Sequence, residues 1–87
     1  MKSQVLRRRY GHAKAGEVAR VGDYAIVKDP TRVRTYWIEN DALMKYQSAI
    51  VYDDGSISYD FPERLPAKVK AKLRAVVCAR RKEGLAA

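Results

Sequence analysis

The chain has 87 residues, 47% of them apolar, one cysteine and a formal net charge of +8. Its length predicts one small domain, its apolar fraction excludes a disordered chain, and a single cysteine excludes an intramolecular disulfide. No run of 18 apolar residues and no secretory segment is present. We therefore expect a cytoplasmic protein that neither spans nor binds a membrane.

The charge is distributed unevenly along the chain. Residues 1–20 carry +5, residues 21–61 carry −3 and residues 62–87 carry +6. We divide the chain into a mobile basic N-terminal arm, residues 1–16, and a single domain, residues 17–87. An anionic partner would meet the two basic ends rather than the acidic middle.

The domain begins with a predicted β-hairpin. The segments Glu17–Val21 and Tyr24–Lys28 are rich in β-forming residues, and Gly22-Asp23 lies between them. Glycine at the first loop position suits a type II′ turn. Asp29-Pro30-Thr31 then predicts a further turn, because aspartate and proline favour its first two positions.

A third strand is predicted from Val33 to Ile38, where β-branched and aromatic residues predominate. If Asn40-Asp41 closes a two-residue turn, the fourth strand runs from Ala42 to Asp53. A short helix over residues 41–46, capped by the asparagine, is the competing interpretation, because alanine, leucine, methionine and lysine favour helices.

The segment from Ser48 to Phe61 predicts a second hairpin. Asp54-Gly55 is typical of a type I′ turn, which places Tyr52 opposite Ile57. In this register one face of the sheet collects most of the large side chains. They are Trp37, Met44, Tyr46, Ile50, Tyr52, Ile57 and Tyr59.

A C-terminal helix is predicted from Ala67 to Glu83, with Gly84 just past its end. Its apolar positions recur at helical spacing and form a stripe. They are Val69, Leu73, Val76, Val77 and, at the margin, Cys78. We expect an α+β fold: an antiparallel meander of three to five strands whose aromatic face is covered by this single helix.

Catalysis is not expected, and neither is a cofactor or a metal. His12 lies between two glycines in the arm, where it would have no rigid partner, and one histidine with one cysteine cannot form a structural zinc site. Cys78 beside the apolar stripe is more simply a packed thiol. Asp53-Asp54 is more simply part of a turn, because successive strand residues point to opposite faces.

Nucleic-acid binding is the favoured function, with DNA and RNA both open. Lysine and arginine side chains of the arm and the helix would contact phosphates, and a tyrosine in the arm would accompany them. The candidate residues are Lys2, Arg7, Arg8, Arg9, Tyr10, Lys14, Lys68, Lys72, Arg80, Arg81 and Lys82.

The alternative is a protein-binding adaptor or inhibitor that uses an edge strand or the sheet face left uncovered by the helix. In the predicted register Arg34, Tyr36 and Ile38 lie on that uncovered face, where exposed apolar area would mark a partner surface. The partner would be a second copy, paired sheet to sheet, or a nucleic-acid-handling complex. Small basic proteins of mobile elements that inhibit host defence machines are of this kind.

Overall fold

The computed structural model of the protein describes residues 16–84. It is an α+β fold in which five antiparallel strands form one sheet in the order β1-β2-β3-β4-β5, followed by a single helix. The strands are β1 Glu17–Val21, β2 Tyr24–Lys28, β3 Thr35–Asn40, β4 Lys45–Val51 and β5 Ile57–Tyr59. A 3₁₀ turn, Pro62–Arg64, leads into the helix α1, Ala67–Lys82. The predicted meander with one C-terminal helix is confirmed.

The first hairpin forms in the predicted register. Val21 pairs with Tyr24 across Gly22-Asp23, and Gly22 has a φ of 57°. A left-handed first loop residue is what a type II′ turn requires, and glycine adopts it without steric cost. The register of β1 shifts between Glu17 and Ala19, which breaks the regularity of this edge strand.

The β3–β4 connection is longer than predicted. Four residues, 41–44, form the turn, so neither the two-residue turn nor the helix over 41–46 is present. The side chain of Asn40 accepts a hydrogen bond from the Leu43 backbone at 3.1 Å, which holds this turn closed. Strand β4 therefore begins at Lys45, and Trp37 lies opposite Ser48 instead of Met44.

The β4–β5 hairpin is displaced by one residue from the predicted register. The Gly55 amide donates to the Tyr52 carbonyl, and the Tyr52 amide donates to the Ser56 carbonyl, both at 2.9 Å. The loop thus contains three residues, with only Gly55 at positive φ, 90°, where a type I′ turn needs two such residues. Val51 consequently pairs with Ile57, and Tyr59 moves to the face that carries Ala49.

The helix covers the face opposite to the predicted one. Tyr36 and Ile38 are 0% and 1% exposed beneath α1, whereas Tyr46 and Ile50 are 49% and 44% exposed on the open face. The core beneath the helix consists of Tyr36 and smaller apolar side chains from three strands, the segment before the helix and the helix stripe. Its buried members are Ile26, Tyr36, Ile38, Ala49, Val51, Leu65, Val69, Leu73 and Val77.

The two faces of the sheet differ in their polar side chains. The open face carries Glu39 and Ser48 beside Trp37, so a helix over it would remove a charged and a polar side chain from water. The covered face also carries Gln47, whose side-chain amide donates to the Phe61 carbonyl and accepts from the Phe61 backbone amide. The covered face still buries two polar groups, because the hydroxyls of Tyr36 and Tyr59 lie there without a hydrogen-bond partner among the described residues.

Helix α1 begins at the predicted residue and ends one residue earlier than predicted. Pro66 precedes its first residue, Glu83 caps its last turn, and Gly84 follows at a φ of 76°. Val69, Leu73 and Val77 are buried, as the stripe predicts. Cys78 is exposed, because it lies one position beyond the stripe and faces solvent.

Candidate nucleic-acid interface

Every charged side chain of α1 is positive. The helix contains seven lysines and arginines and no aspartate or glutamate in its 16 residues. Only its Val69, Leu73 and Val77 positions are buried, so most of the charge lies on the surface of the domain. The seven basic residues are Lys68, Lys70, Lys72, Arg74, Arg80, Arg81 and Lys82.

Three of these lysines form a row along one flank of the helix. Lys68, Lys72 and Lys82 are exposed, and they fall within an arc of about 80° around the helix axis. Within residues 16–84, none of the three has an ion pair or a hydrogen bond from its ammonium group. We call Lys68, Lys72 and Lys82 the lysine flank.

The lysine flank is not arranged for stability. Lys68 lies in the first turn of α1, where the amide groups of the helix already present partial positive charge. Pro66 gives no side-chain cap, and no acidic residue occupies that turn. Lys68 and Lys72 are also four residues apart, a spacing at which like charges repel. An anion bound on this flank would relieve both effects.

The opposite flank of α1 uses its basic residues to hold the fold. The Arg81 guanidinium donates to the Asp53 carbonyl at 2.9 Å, and Lys70 Nζ donates to the Pro62 carbonyl at 3.3 Å. The Asp53 carboxylate also pairs with Arg34. The β4–β5 loop is therefore anchored by two arginines, one of which, Arg81, was predicted as a phosphate contact.

A second positive cluster forms where the C-terminal end of α1 meets the end of β2. Burial lowers the pKa of Lys28, and the nearby charge of Arg80 lowers it further, against an opposing effect of Asp29. The Lys28 ammonium lies 5.5 Å from the centroid of the Tyr36 ring. Burial raises the pKa of the Tyr36 hydroxyl, and the nearby charge of Arg80 partly offsets this rise. This end of the molecule therefore concentrates positive charge.

The basic arm joins the domain at this same end. The Gly16 carbonyl accepts a hydrogen bond from the Lys28 amide at 2.9 Å. The predicted contacts in the arm precede this point, and they lie outside the described residues: Lys2, Arg7, Arg8, Arg9, Tyr10 and Lys14. The attachment of the arm nevertheless lies beside Lys28, and through it close to Arg80.

The predicted partner surface is corrected by the structure. Tyr36 and Ile38 lie in the core under α1 and cannot form an exposed docking face. Arg34 is partly exposed but pairs with Asp53. The face that is uncovered displays Tyr46 and other apolar side chains instead, because the helix covers the other side of the sheet.

Trp37 on the open face is fixed by Asp29. The indole Nε1 donates to the Asp29 carboxylate at 2.8 Å, and the backbone amides of Thr31 and Arg32 donate to the same group at 2.9 and 2.8 Å. These hydrogen bonds, that of Trp37 foremost, hold the pKa of Asp29 far below its usual range. The predicted Asp29-Pro30-Thr31 turn locates this carboxylate, but its bond to the tryptophan depends on the sheet register.

A groove of about 200 Å³ opens at the other end of the domain, between the β3–β4 turn and the 3₁₀ turn. Sequence reasoning missed it, because its walls come from four separate segments. Its lining residues are Tyr24, Ile38, Met44, Lys45, Tyr46, Gln47, Phe61, Arg64 and Leu65. We call this the aromatic groove.

The described part of the chain contains no group of three or more histidine, cysteine, aspartate or glutamate side chains placed to hold a metal ion. Among the same residues, no helix is both long and apolar enough to cross a bilayer. The chain matches no family model, no curated protein and no solved structure.

Proposed function

We propose that this is a cytoplasmic, non-enzymatic protein that binds nucleic acid by its phosphates. The observation that carries the proposal is the composition of α1, which has seven basic residues, no acidic residue and an exposed lysine flank. Such a surface resembles the sequence-independent footprint that tracks a phosphate backbone.

The dimensions of the lysine flank suit such a ligand. From Lys68 to Lys82 the helix rises by about 21 Å, which corresponds to about six phosphate steps along one strand of a duplex. The positive charge of Lys28 and Arg80 continues this surface at the C-terminal end of the helix. The arm, which attaches beside Lys28, would extend the contact further.

The test measures affinity for a fluorescein-labelled 20-base-pair duplex and a 20-nucleotide single strand between 50 and 300 mM NaCl by fluorescence anisotropy. The double variant K68Q/K72Q is compared with R20Q/R32Q, which removes the same charge from β1 and the β2–β3 loop. We expect the flank variant to weaken binding and to reduce the salt slope on the duplex by about 1.8, because each lost phosphate contact removes about 0.9.

The control variant should keep nearly all of the wild-type slope. If both variants reduce affinity and slope equally, the net charge and not the lysine flank attracts the ligand. If the wild-type protein shows no salt-dependent binding at 50 mM NaCl, the proposed function is wrong.

A protein-binding role is the second candidate, favoured by the open sheet face. Tyr46, Ile50 and Tyr52 are 49%, 44% and 50% exposed, and contiguous apolar exposure of this kind is typical of partner surfaces. The partner would be a second copy or a nucleic-acid-handling complex. This role predicts a nuclease-resistant complex that Ile50→Asp abolishes and K68Q/K72Q preserves. A complex that K68Q/K72Q abolishes and Ile50→Asp preserves would exclude this role.

A further inference from the structure

We propose that the aromatic groove receives one unpaired base of a single-stranded nucleic acid whose phosphates continue onto the lysine flank. This inference rests on the proposed function and deepens it, since it assigns a preference for single strands over duplex. It places a second binding element at the end of the domain opposite to the attachment of the arm.

The lining of the groove has the chemistry that a nucleotide requires. Two aromatic rings, those of Tyr24 and Phe61, offer surfaces on which a base can stack. Lys45 and Arg64 supply positive charge for the adjoining phosphate, and no carboxylate lines the groove. The volume of about 200 Å³ is below the roughly 300–1,000 Å³ of pockets for drug-sized ligands, so it suits a single heterocyclic base.

Phe61 is held in position before any ligand arrives. Gln47 donates from Nε2 to the Phe61 carbonyl at 3.2 Å and accepts from the Phe61 amide at 3.1 Å. The Arg64 guanidinium lies 4.3 Å from the centroid of the Phe61 ring. A base would therefore meet a surface that loses little conformational freedom on binding.

Met44 at the mouth of the groove carries two costs that the fold does not require. Its φ is 53°, a left-handed conformation that favours glycine or asparagine, and its apolar side chain is 71% exposed. A glycine would close the same turn without strain. Strain and exposure at one residue point to a binding role, and methionine suits a flexible, polarizable contact with a flat ring.

The chain runs from the wall of the groove into the start of the lysine flank. Arg64 and Leu65 form part of its wall, and Lys68 lies three residues further along the chain, in the first turn of α1. A strand with one base in the groove can therefore carry its next phosphates along the helix. An apolar peptide would use the aromatic rings but would leave Lys45 and Arg64 unpaired.

The test compares two labelled oligonucleotides of equal charge: an eight-nucleotide oligodeoxythymidine and the same backbone with every base removed. We expect the wild-type protein to bind the first about 5- to 150-fold more tightly, the range that corresponds to one stacked base. Phe61→Ala should remove this preference without changing affinity for the abasic strand. Tyr52→Ala, which removes an exposed aromatic ring outside the groove, should keep it.

Met44→Gly supplies a second readout that does not depend on loss of an aromatic ring. It should raise the melting temperature, because strain is released, and reduce the preference for the base-bearing strand. The variant K68Q/K72Q should reduce the affinity for both oligonucleotides by the same factor.

The outcomes separate the two proposals. Equal, salt-dependent binding of both oligonucleotides by the wild-type protein would overturn the groove proposal, as would be found if the groove binds a peptide. The proposed phosphate binding would then still stand. Binding of neither oligonucleotide at 50 mM NaCl would overturn both. A preference that Phe61→Ala and Tyr52→Ala reduce equally would also contradict the groove proposal.

Discussion

Two isoleucines on opposite faces of the sheet test which face the helix covers. Ile38 is 1% exposed and belongs to the core under α1, whereas Ile50 is 44% exposed on the open face. Ile38→Ala removes three buried carbons and leaves a cavity between the sheet and the helix. A loss of about 3 kcal/mol of unfolding free energy is expected, within the usual range for buried isoleucine.

Ile50→Ala removes the same atoms from a site where nearly half of the side chain already contacts water. No enclosed cavity remains, and only part of the transfer free energy is lost, so about 1 kcal/mol is expected. For a domain of this size, with a total stability of roughly 4–13 kcal/mol, the first substitution is severe and the second is mild.

The assay is urea unfolding at equilibrium, followed by far-ultraviolet circular dichroism, on the two variants and the wild-type protein. The ratio of the two losses decides the matter, because most systematic errors of extrapolation cancel. A loss for Ile50→Ala equal to or larger than that for Ile38→Ala would refute the face assignment. It would favour the arrangement with the helix over Trp37 and Ile50.

Three further substitutions test local features of the structure. Lys68→Glu should stabilise the protein by about 0.5 kcal/mol, because glutamate suits the start of a helix and can pair with Lys72. The same change should weaken nucleic-acid binding. Urea unfolding measures the stability and anisotropy the affinity, and a fall in both stability and affinity would contradict the role of the lysine flank. Asp29 has a lowered pKa, so its stabilisation is complete above its unfolded pKa of about 3.9 and is lost as the pH falls below that value. Urea midpoints from pH 6 to 2 should decline less steeply in Asp29→Asn, and identical slopes would exclude a role for this carboxylate. Gly55→Ala should cost about 1–2 kcal/mol in thermal unfolding because of its positive φ, and an unchanged melting temperature would contradict the three-residue loop.

The elements of the fold could be predicted from local sequence signals. Gly22-Asp23 between two β-forming segments determined the first hairpin, and the spacing of Val69, Leu73 and Val77 determined the buried side of the helix. In each case, residues close in sequence decide the structure, so no knowledge of distant contacts is needed.

Register and sheet face could not be predicted in the same way. Asp54-Gly55 is compatible with a two- or a three-residue loop, and one extra residue moves Ile57 and Tyr59 to the other face. The sequence separates the faces of β3 and β4 correctly, but it predicts the face with the larger aromatic residues as the core. The hydrogen bonds of Gln47 to Phe61, which satisfy a buried amide on the covered face, join positions 14 residues apart.

The candidate site was predictable only where charge alone defines it. Lys68, Lys72 and Lys82 could be selected from the helical pattern, since they avoid the buried stripe. The pattern could not reveal that Arg81 is bound to the β4–β5 loop. Nor could it reveal the aromatic groove, whose walls meet only after the sheet and the 3₁₀ turn have formed.

Mapping of backbone amide shifts by nuclear magnetic resonance during titration with an unlabelled nucleic-acid strand tests phosphate binding by the lysine flank. We expect the largest changes on the outer side of α1, around Lys68, Lys72 and Lys82, and around Lys28. They should decrease together as salt is added. Changes confined to the open sheet face around Trp37 and Ile50, or no changes at 50 mM NaCl, would contradict phosphate binding by the lysine flank.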